Sequence, residues 1–312
     1  MISFGPVPSR RLGKSLGINN IPSRKRCSYS CRYCQVGVTK NCSISRETFY
    51  QPKVLFDEVT RHLQQLSDND KPDYLCFVSN GEPTLDKNIG KSIDLLKTLG
   101  IPVAVITNAS LMSLKNVRDD LAKADWVSVK IDAYHENTWK SLNKPHGELN
   151  FREIMQGVTV FSRNFTSTLA TETMLVKDAN DCDAILNDTA GFIADLHAGV
   201  SYLSIPTRPP ADTTVMVPDE ATINNAFQIF NTCKINTELL LGFEGTNMGY
   251  TGNVIDDILN ICAVHPIRDD SMEVLLEKEG KDFRVVDEMI YNGLISKVYY
   301  NSKAYYVRKF NV

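Results

Sequence analysis

Strand-like and helix-like segments alternate along most of this 312-residue chain, and this rhythm restricts the fold more than any other feature. Short apolar runs typical of buried strands are each followed by a stretch with apolar residues at helical spacing. Six such units predict a parallel sheet with outer helices, an α/β fold. The predicted strands cover 15–21, 74–79, 101–107, 126–131, 168–176 and 200–205, and the predicted helices cover 52–66, 87–99, 112–123, 135–143 with 150–163, 181–197 and 219–233.

The carboxyl ends of these strands are candidate ligand sites. Two architectures fit the pattern, a full or partial barrel and an open doubly wound sheet, and in both of them ligands bind at that end. Lys130 and Asp132 flank Ile131 and share one face of their strand, so we expect both to point into the mouth of a barrel, toward a bound ligand. The other polar strand-end residues are Glu82, Asn108, Glu172, Lys177, Thr207 and Arg208.

Three of the eight cysteines stand in the run CSYSCRYC, where Cys27, Cys31 and Cys34 follow the spacing C-x3-C-x2-C and Tyr33 precedes the last. Such a set could bind zinc together with a histidine, belong to a disulfide framework, or hold an iron–sulfur cluster. The nearest histidine in sequence is His62, which argues against a local zinc site. The opening MISFGPVPSR has no continuous apolar stretch, so we expect no signal peptide, a cytoplasmic location, and thiols that bind metal.

A second motif, SNGEPTL, follows the predicted strand 74–79. A glycine lets the backbone approach a ligand closely, and a carboxylate next to a ligand ammonium group makes a charge-assisted hydrogen bond. Alone, the motif would fit a surface turn before a helix equally well. Together, the cysteine run with its aromatic residue, the strand and this Gly-Glu segment resemble the radical SAM superfamily.

The resemblance implies that Cys27, Cys31 and Cys34 bind three irons of a [4Fe–4S] cluster and that S-adenosylmethionine (SAM) chelates the fourth. It implies a partial (β/α)6 TIM-like barrel, and reductive cleavage of SAM to a 5′-deoxyadenosyl radical that abstracts hydrogen from a substrate. It also implies a flavodoxin- or ferredoxin-like electron donor. The residues assigned to SAM on this basis are Tyr33 near adenine, Gly81, Glu82 and Pro83 at the amino group, and Asn108, Lys130 and Asp132 at the strand ends.

Longer segments of the chain resemble the wyosine-synthetase-related branch of that superfamily. They are FGPVPSRRLGKSLGINNIP, SNGEPTL, VKIDA and the GFEG…AVHPIR region. Members that make wyosine in tRNA carry a second cluster bound by cysteines ahead of the radical SAM motif, whereas here no cysteine precedes Cys27. The other five cysteines are scattered, with Cys42 the nearest to the motif.

The net charge of −3 is unevenly distributed. Residues 1–46 contain no acid, and the remaining residues carry 25 positive and 37 negative side chains. This asymmetry predicts either an anionic substrate, such as an RNA base or another phosphate-bearing molecule, or a positive environment that eases reduction of an anionic cluster. A peptide or protein substrate is the alternative. The nine basic residues are Arg10, Arg11, Lys14, Arg24, Lys25, Arg26, Arg32, Lys40 and Arg46.

The rhythm stops after a core domain predicted to span 1–245, and residues 254–312 predict a small winged-helix-like α+β domain. Its helices are predicted at 254–263, 270–279 and 283–293, before strands at 296–300 and 303–308. With 8 basic and 10 acidic residues this tail lacks the basic face of a DNA reader, which argues against the remaining functional class, an iron–sulfur regulator that binds DNA. Its four final tyrosines could stack on single-stranded RNA or simply lie half-buried in strands. No apolar run approaches the ~20 residues of a membrane span.

Overall fold

The computed structural model describes residues 2–22, 25–242, 245–246 and 248–309. Its main body is an eight-stranded sheet in which spatial order follows chain order. The first two strands form an antiparallel hairpin, and all later neighbours pair in parallel. The strands are β1 (Ser3–Ser9), β2 (Gly13–Ile18), β3 (Tyr74–Phe77), β4 (Val103–Thr107), β5 (Trp126–Lys130), β6 (Thr168–Met174), β7 (Val200–Ser204) and β8 (Thr237–Leu240).

Helices connect the parallel strands and cover one face of the sheet, as the alternating pattern predicts. Their buried apolar side chains pack with the outward-facing strand residues into the largest core of the protein. The sheet curls into a half-barrel, so the predicted α/β partial-barrel fold class is confirmed. The helices of this body are α1 (Pro52–Gln65), α2 (Ile89–Lys97), α3 (Lys115–Leu121), α4 (Glu136–Asn143), α5 (Phe151–Asn164), α6 (Asp183–Ala194) and α7 (Glu220–Thr232).

The sequence pattern predicted six strands and missed two strands of the sheet, β1 and β8. Strand β1 contains Pro6 and Pro8, and proline removes a ladder donor, so the segment does not look like a strand although prolines are tolerated on an edge. Strand β8 is four residues long and contains Thr237 and Glu238 in place of an apolar run. Both lie at the edges of the sheet, where exposure weakens the hydrophobic signal.

The sheet face opposite the helices is apolar near one end and charged near the other. An apolar cluster on this face contains Cys76, Ala104, Trp126, Ala170 and Tyr202. Further along the same strands toward their carboxyl ends, the register places Lys130 beside Glu172. Period-two alternation therefore brings charged groups into the barrel mouth.

The tail folds as helix, strand, two helices and two strands, the order of a winged helix. Its three strands form an antiparallel sheet in the order β10-β11-β9. The predicted helices and the final two strands are confirmed within a few residues, and the very short β9 is additional. The elements are α8 (Val254–Val264), β9 (Ile267–Arg268), α9 (Asp269–Lys278), α10 (Arg284–Tyr291), β10 (Ile295–Tyr300) and β11 (Lys303–Arg308).

The tail packs against the half-barrel through both apolar contacts and hydrogen bonds. Phe4 and Val7 of β1 belong to the same apolar cluster as the core of the tail. Tyr300 Oη donates to the carbonyl of Pro206 (3.0 Å), and Tyr305 Oη donates to that of Thr207 (2.9 Å). The predicted division at 245–254 stays a prediction, because the tail and the first strand share one core.

Three of the four final tyrosines are engaged inside the protein. Besides Tyr300 and Tyr305, Tyr306 donates to Asp269 Oδ1 (2.6 Å), whereas Tyr299 is 77% exposed. This arrangement speaks against the RNA-stacking interpretation and fits that of half-buried strand residues. In the part of the chain that the structure describes, no helix combines the length and apolarity needed to cross a membrane.

We expect Phe77→Ala to lower the free energy of unfolding by about 3–5 kcal/mol, because this fully buried β3 side chain would leave a cavity in the main core. The matched control is Tyr299→Ala, which truncates an aromatic residue that is mostly exposed and should change stability by less than about 0.5 kcal/mol. Urea unfolding of both variants measures the difference. Equal effects would contradict the assignment of β3 to the centre of the core.

Candidate active site

The cysteine run lies over the carboxyl ends of the parallel strands, held by main-chain hydrogen bonds on two sides. On one side it pairs with the end of β3, where Arg26 N donates to the Asn80 carbonyl (3.0 Å) and Glu82 N to the Arg26 carbonyl (2.9 Å). On the other side Ser30 N donates to the Asn143 carbonyl (3.0 Å) at the end of α4. The loop is therefore fixed at both ends, directly above the barrel mouth.

Gly81 is required for this pairing. Its φ of +141° is a conformation that side chains rarely permit, and a Cβ atom there would lie 1.6 Å from the Arg26 carbonyl oxygen. Only glycine lets the two backbones approach this closely. The glycine of the NGEP motif thus joins the cysteine loop to strand β3, in addition to any ligand it contacts.

Each cysteine sulfur of the motif receives a hydrogen bond from a side-chain nitrogen donor. Asn108 Nδ2 lies 3.5 Å from Cys27 Sγ, and Asn143 Nδ2 lies 3.4 Å from Cys31 Sγ. The third donor is Lys25, whose Nζ lies 3.1 Å from Cys34 Sγ. Donors of this kind stabilise thiolates, the form in which cysteine binds metal.

Burial governs the protonation of these groups. It raises the pKa of Cys31 to about 12 and that of Cys27 well above its ordinary value. Burial alone would lower the pKa of Lys25, but the adjacent sulfur atoms of Cys34, Cys27 and Cys31 raise it. The Cys27 and Cys31 thiols are therefore protonated without a metal, and metal binding would release their protons.

Among the described residues, no three His, Cys, Asp or Glu side chains converge on a single-ion site. The Lys25 ammonium group contacts one of the three thiols, that of Cys34, and an iron–sulfur cubane separates its thiolate ligands more widely than one ion does. An unsatisfied buried amide lies nearby: neither side-chain polar atom of Asn80 has a partner in the described part of the chain. A buried amide without partners costs free energy, so a bound group is expected beside it. The donor set and this amide both fit a cluster with an organic ligand.

Glu82 is buried and joins the ends of β3 and β4. Its Oε1 accepts hydrogen bonds from Thr84 N (3.1 Å), Thr84 Oγ1 (2.6 Å) and Thr107 Oγ1 (2.6 Å). Its Oε2 accepts one from Asn108 N (2.7 Å), which leaves this oxygen able to accept another. Burial raises the pKa of Glu82 despite these bonds.

Asp132 positions the aromatic residue of the cysteine motif. Tyr33 Oη donates to Asp132 Oδ2, which also accepts from Asn143 Nδ2 (2.7 Å), while Met174 N donates to Oδ1 (2.9 Å). The Lys130 Nζ lies 5.0 Å from the centre of the Tyr33 ring, a cation–π contact. Lys130 and Asp132 do point together into the mouth, and in the protein alone both contact Tyr33.

The charged residues of the mouth centre on Glu172. Its carboxylate accepts from Arg11 Nη2 (2.6 Å), Lys130 Nζ (3.2 Å) and Ser204 Oγ (3.0 Å). Burial alone would raise the pKa of Glu172, but Arg11 and Lys130 lower it to about 2. The group is therefore ionised at neutral pH and pairs with two half-buried cations.

A cavity of about 280 Å³ opens beside this network. It is bounded by the cysteine loop at Tyr33 and Cys34, by the inner face of the sheet, and by the end of α8 in the tail. Apolar side chains form part of the wall, including Phe4, Val78 and Ile106. The charged lining residues of the described chain are Arg10, Arg11, Lys130, Arg208 and Glu172.

The tail closes one side of this cavity. Gln35 of the cysteine loop donates from Nε2 to the Val264 carbonyl (2.8 Å). Arg208, which follows β7, donates to Gln35 Oε1 (3.1 Å) and to His265 Nε2 (2.8 Å). Three segments far apart in sequence therefore meet at the rim of the cavity.

The basic residues of the N-terminal segment lie in different places in the fold. Arg10 and Arg11 line the cavity, and Lys25 contacts the Cys34 sulfur. Arg32 pairs with Asp212 (2.8 Å) and Arg46 with Asp120 (2.7 Å), whereas Arg24 lies outside the described residues. Phe243 and Glu244 of the GFEG segment also lie outside them.

Several site residues were not singled out in the sequence. Asn80 lies within SNGEPTL, Gln35 directly follows the cysteine run and His265 lies in the AVHPIR region, but no sequence pattern indicated a role for any of them. Asn143 lies in a segment without a motif and reaches the site only through tertiary packing. Cys42 is half-buried, and the next residue, Ser43, donates from its amide to the Cys27 carbonyl (3.1 Å). It therefore lies next to the cysteine loop, as its sequence position suggested, and no metal-binding partner set includes it among the described residues.

We expect Glu172→Gln to lower the free energy of unfolding by about 3 kcal/mol at pH 7, because Arg11 and Lys130, both half-buried, would lose the carboxylate that they share. Since the pKa of Glu172 is lowered in the folded state, its contribution is present above its ordinary pKa and is lost as the pH falls toward 2. The difference between wild type and variant should therefore shrink in acid. Urea titrations across pH measure it.

The control is Glu136→Gln on the surface of α4, whose partner Lys140 lies 2.8 Å away in an exposed pair. That change should leave stability nearly unaltered, because exposed ion pairs contribute little. A Glu172 variant as stable as this control would show that the network does not require the buried carboxylate.

Comparison with known proteins matches the chain to the radical SAM superfamily model over residues 21–188, which include the cysteine loop, the Gly-Glu segment and strands β3 to β6. The UPF0026 protein MJ1312 of Methanocaldococcus jannaschii is 41% identical over 309 residues, covering 98% of this chain and 96% of the relative. A protein of Brachyspira hyodysenteriae named GTPase Obg is 33% identical over 94% of this chain, but the chain spans only 44% of that protein.

Solved structures share the fold. A structure of TYW1 with a lysine-pyruvate adduct bound superposes with a TM-score of 0.54, at 15% identity, over 71% of this chain and 75% of its own. Streptococcus suis SuiB bound to S-adenosylmethionine also reaches 0.54, at 12% identity, over 73% and 50%. Radical SAM proteins use a [4Fe–4S] cluster and SAM, and the barrel mouth of this chain presents the donor set that such a cluster needs. The chain belongs to the radical SAM superfamily and is a radical SAM enzyme.

Proposed function

We propose that Cys27, Cys31 and Cys34 hold the cluster and that the enzyme generates a 5′-deoxyadenosyl radical to abstract hydrogen from a small anionic substrate. The observation that carries the proposal is the cysteine loop itself, fixed over the strand ends with one nitrogen donor at each sulfur. When bound, the cluster and SAM supply one-electron cleavage of the cofactor's carbon–sulfur bond. An external donor of the flavodoxin or ferredoxin kind would supply the electron.

The chain's own residues would orient SAM beside the cysteine loop. Glu82 Oε2 retains capacity for one more hydrogen bond and would accept it from the SAM amino group, next to the backbone of Gly81 and Pro83. The buried amide of Asn80 would find its missing partner in the bound group. Asp132 and Lys130 would fix the Tyr33 ring near adenine rather than bind the cofactor directly, because their polar atoms already contact protein groups.

The cavity supports an anionic substrate. Arg10, Arg11, Lys130 and Arg208 line it together with a single carboxylate in the described chain, and basic groups of this kind bind phosphate or carboxylate. The tail covers the rim, so a small phosphate-bearing molecule fits better than a base within a folded RNA or a peptide. Exclusion of water by the same wall would protect a radical from side reactions.

Two features support a finer position within the superfamily. The N-terminal motif FGPVPSRRLGKSLGINNIP and the SNGEPTL segment resemble the wyosine-synthetase-related branch. The first of these segments supplies β1, β2 and the arginines of the cavity, which ties the resemblance to the site. We infer membership of that branch, with a small phosphate-bearing molecule as the substrate.

We expect anaerobically reconstituted protein to form 5′-deoxyadenosine from SAM when dithionite is added, as detected by mass spectrometry. Cys31→Ala should lose the cluster and with it all product, because only two thiolate ligands remain. Cys182→Ala, at an exposed cysteine outside the site, is the control and should retain iron and product. Full iron content and activity in the Cys31 variant would contradict the ligand assignment.

The substrate class is testable by the yield of 5′-deoxyadenosine. Small phosphate-bearing compounds should raise it, and an electrophoretic shift assay with tRNA should show no complex even at low salt, where phosphate contacts are strongest. A tRNA complex that weakens steeply with rising salt would favour the RNA alternative. Stimulation by a peptide instead of a phosphate-bearing compound would favour a peptide substrate.

A further inference from the structure

Lys25 is the member of the basic N-terminal segment that contacts a cysteine sulfur in the described part of the chain. Its Nζ donates to Cys34 Sγ (3.1 Å) and to the Gly37 carbonyl within the same loop. These two bonds fix the ammonium group on the inner side of the loop. The side chain is only partly exposed, so its position does not depend on a chance surface conformation.

The three sulfur donors differ in charge. Asn108 and Asn143, which donate to Cys27 and Cys31, carry neutral amides, whereas Lys25 carries a full positive charge. In the described ranges no carboxylate forms an ion pair with Lys25, so its anionic partners would be the three cysteines once metal binding has deprotonated them. Its field therefore acts mainly on whatever the cysteines bind.

A fixed positive charge favours the reduced form of an iron–sulfur cluster. Reduction adds one negative charge to a cluster whose three thiolates already make it anionic. Cluster potentials respond to net charge, to hydrogen bonds at sulfur and to solvent exposure. A cation in a partly buried site acts more strongly than one in water, because the lower effective dielectric weakens its screening.

We propose that Lys25 raises the reduction potential of the cluster by placing its ammonium group against the Cys34 thiolate. It is a positioning residue for electron transfer and contacts neither SAM nor substrate. The proposal rests on the cluster ligands assigned above. The two interpretations of the basic segment then apply to different residues. Lys25 eases reduction of the cluster, while Arg10 and Arg11 line the substrate cavity.

Three substitutions at this position separate charge from hydrogen bonding. Lys25→Met removes both at similar length, Lys25→Gln keeps a donor without charge, and Lys25→Arg keeps the charge. Lys40→Met is the matched control, because Lys40 lies in the same loop with an exposed side chain and makes no hydrogen bond to sulfur in the described structure. Each reconstituted protein is assayed for iron and sulfide and then titrated anaerobically, with the reduced cluster followed by electron paramagnetic resonance.

We expect the midpoint potential to move to more negative values in Lys25→Met and Lys25→Gln, with full iron content, and to stay near that of wild type in Lys25→Arg and Lys40→Met. An unchanged or more positive potential in both neutral variants would overturn the proposal. Equal shifts of the midpoint potential in Lys25→Met and Lys40→Met would also overturn the proposal, because they would reflect the net charge of the protein and not the position of Lys25. If all three Lys25 variants fail to assemble a cluster, Lys25 is an assembly residue and the proposal is wrong.

The same experiment separates this inference from the proposed function. Wild-type protein without a cluster would refute the cysteine assignment before any Lys25 variant is compared. Wild-type protein with a cluster and 5′-deoxyadenosine formation, combined with unshifted Lys25 variants, would refute only the role of Lys25.

Discussion

The site depends on the close approach of two backbones, where the residue before the cysteine motif pairs with the glycine at the end of β3. Gly81 alone among the residues of this turn permits the approach, because a side chain would collide with the Arg26 carbonyl. This pairing holds the three cysteines above the carboxyl ends of the strands, and Glu82 lies beside them. Glycine here fixes the relative position of the two parts of the site, the cysteine loop and the Gly-Glu segment.

Ion pairs and hydrogen bonds fix the charged residues that lie below the cysteine loop. The carboxylate of Glu172 is shared by two cations, and that of Asp132 is taken up by Tyr33, Asn143 and a backbone amide. Glu172 and Asp132 are thus committed to internal partners, and four of the five charged residues that line the cavity in the described chain are basic. A basic and partly apolar space, closed on one side by the tail, fits the small anionic substrate proposed above.

The tail contributes to the site although its fold resembles a nucleic-acid reader. Its tyrosine hydroxyls bind carbonyls that follow β7, and its backbone and His265 bridge to Gln35 and Arg208 at the rim. The winged-helix arrangement here packs its hairpin against the barrel instead of presenting it to a partner. The tail carries more acidic than basic residues, which is consistent with packing against the barrel instead of binding a nucleic acid.

The sequence by itself determined the alternating architecture, the cysteine loop and the Gly-Glu segment, because strand periodicity and ligand spacing are local properties. It also placed Lys130 and Asp132 on one face, since alternation along a strand needs no tertiary information. It missed the two edge strands, because β1 contains prolines and β8 contains polar residues that are not typical of a strand. Only the tertiary structure decided that Asp132 holds Tyr33, that Asn108, Asn143 and Lys25 each serve one sulfur, and that His265 reaches the rim. These contacts join residues up to 229 positions apart, as between Gln35 and Val264, and they follow from how the sheet curls and the tail packs, which no local pattern encodes.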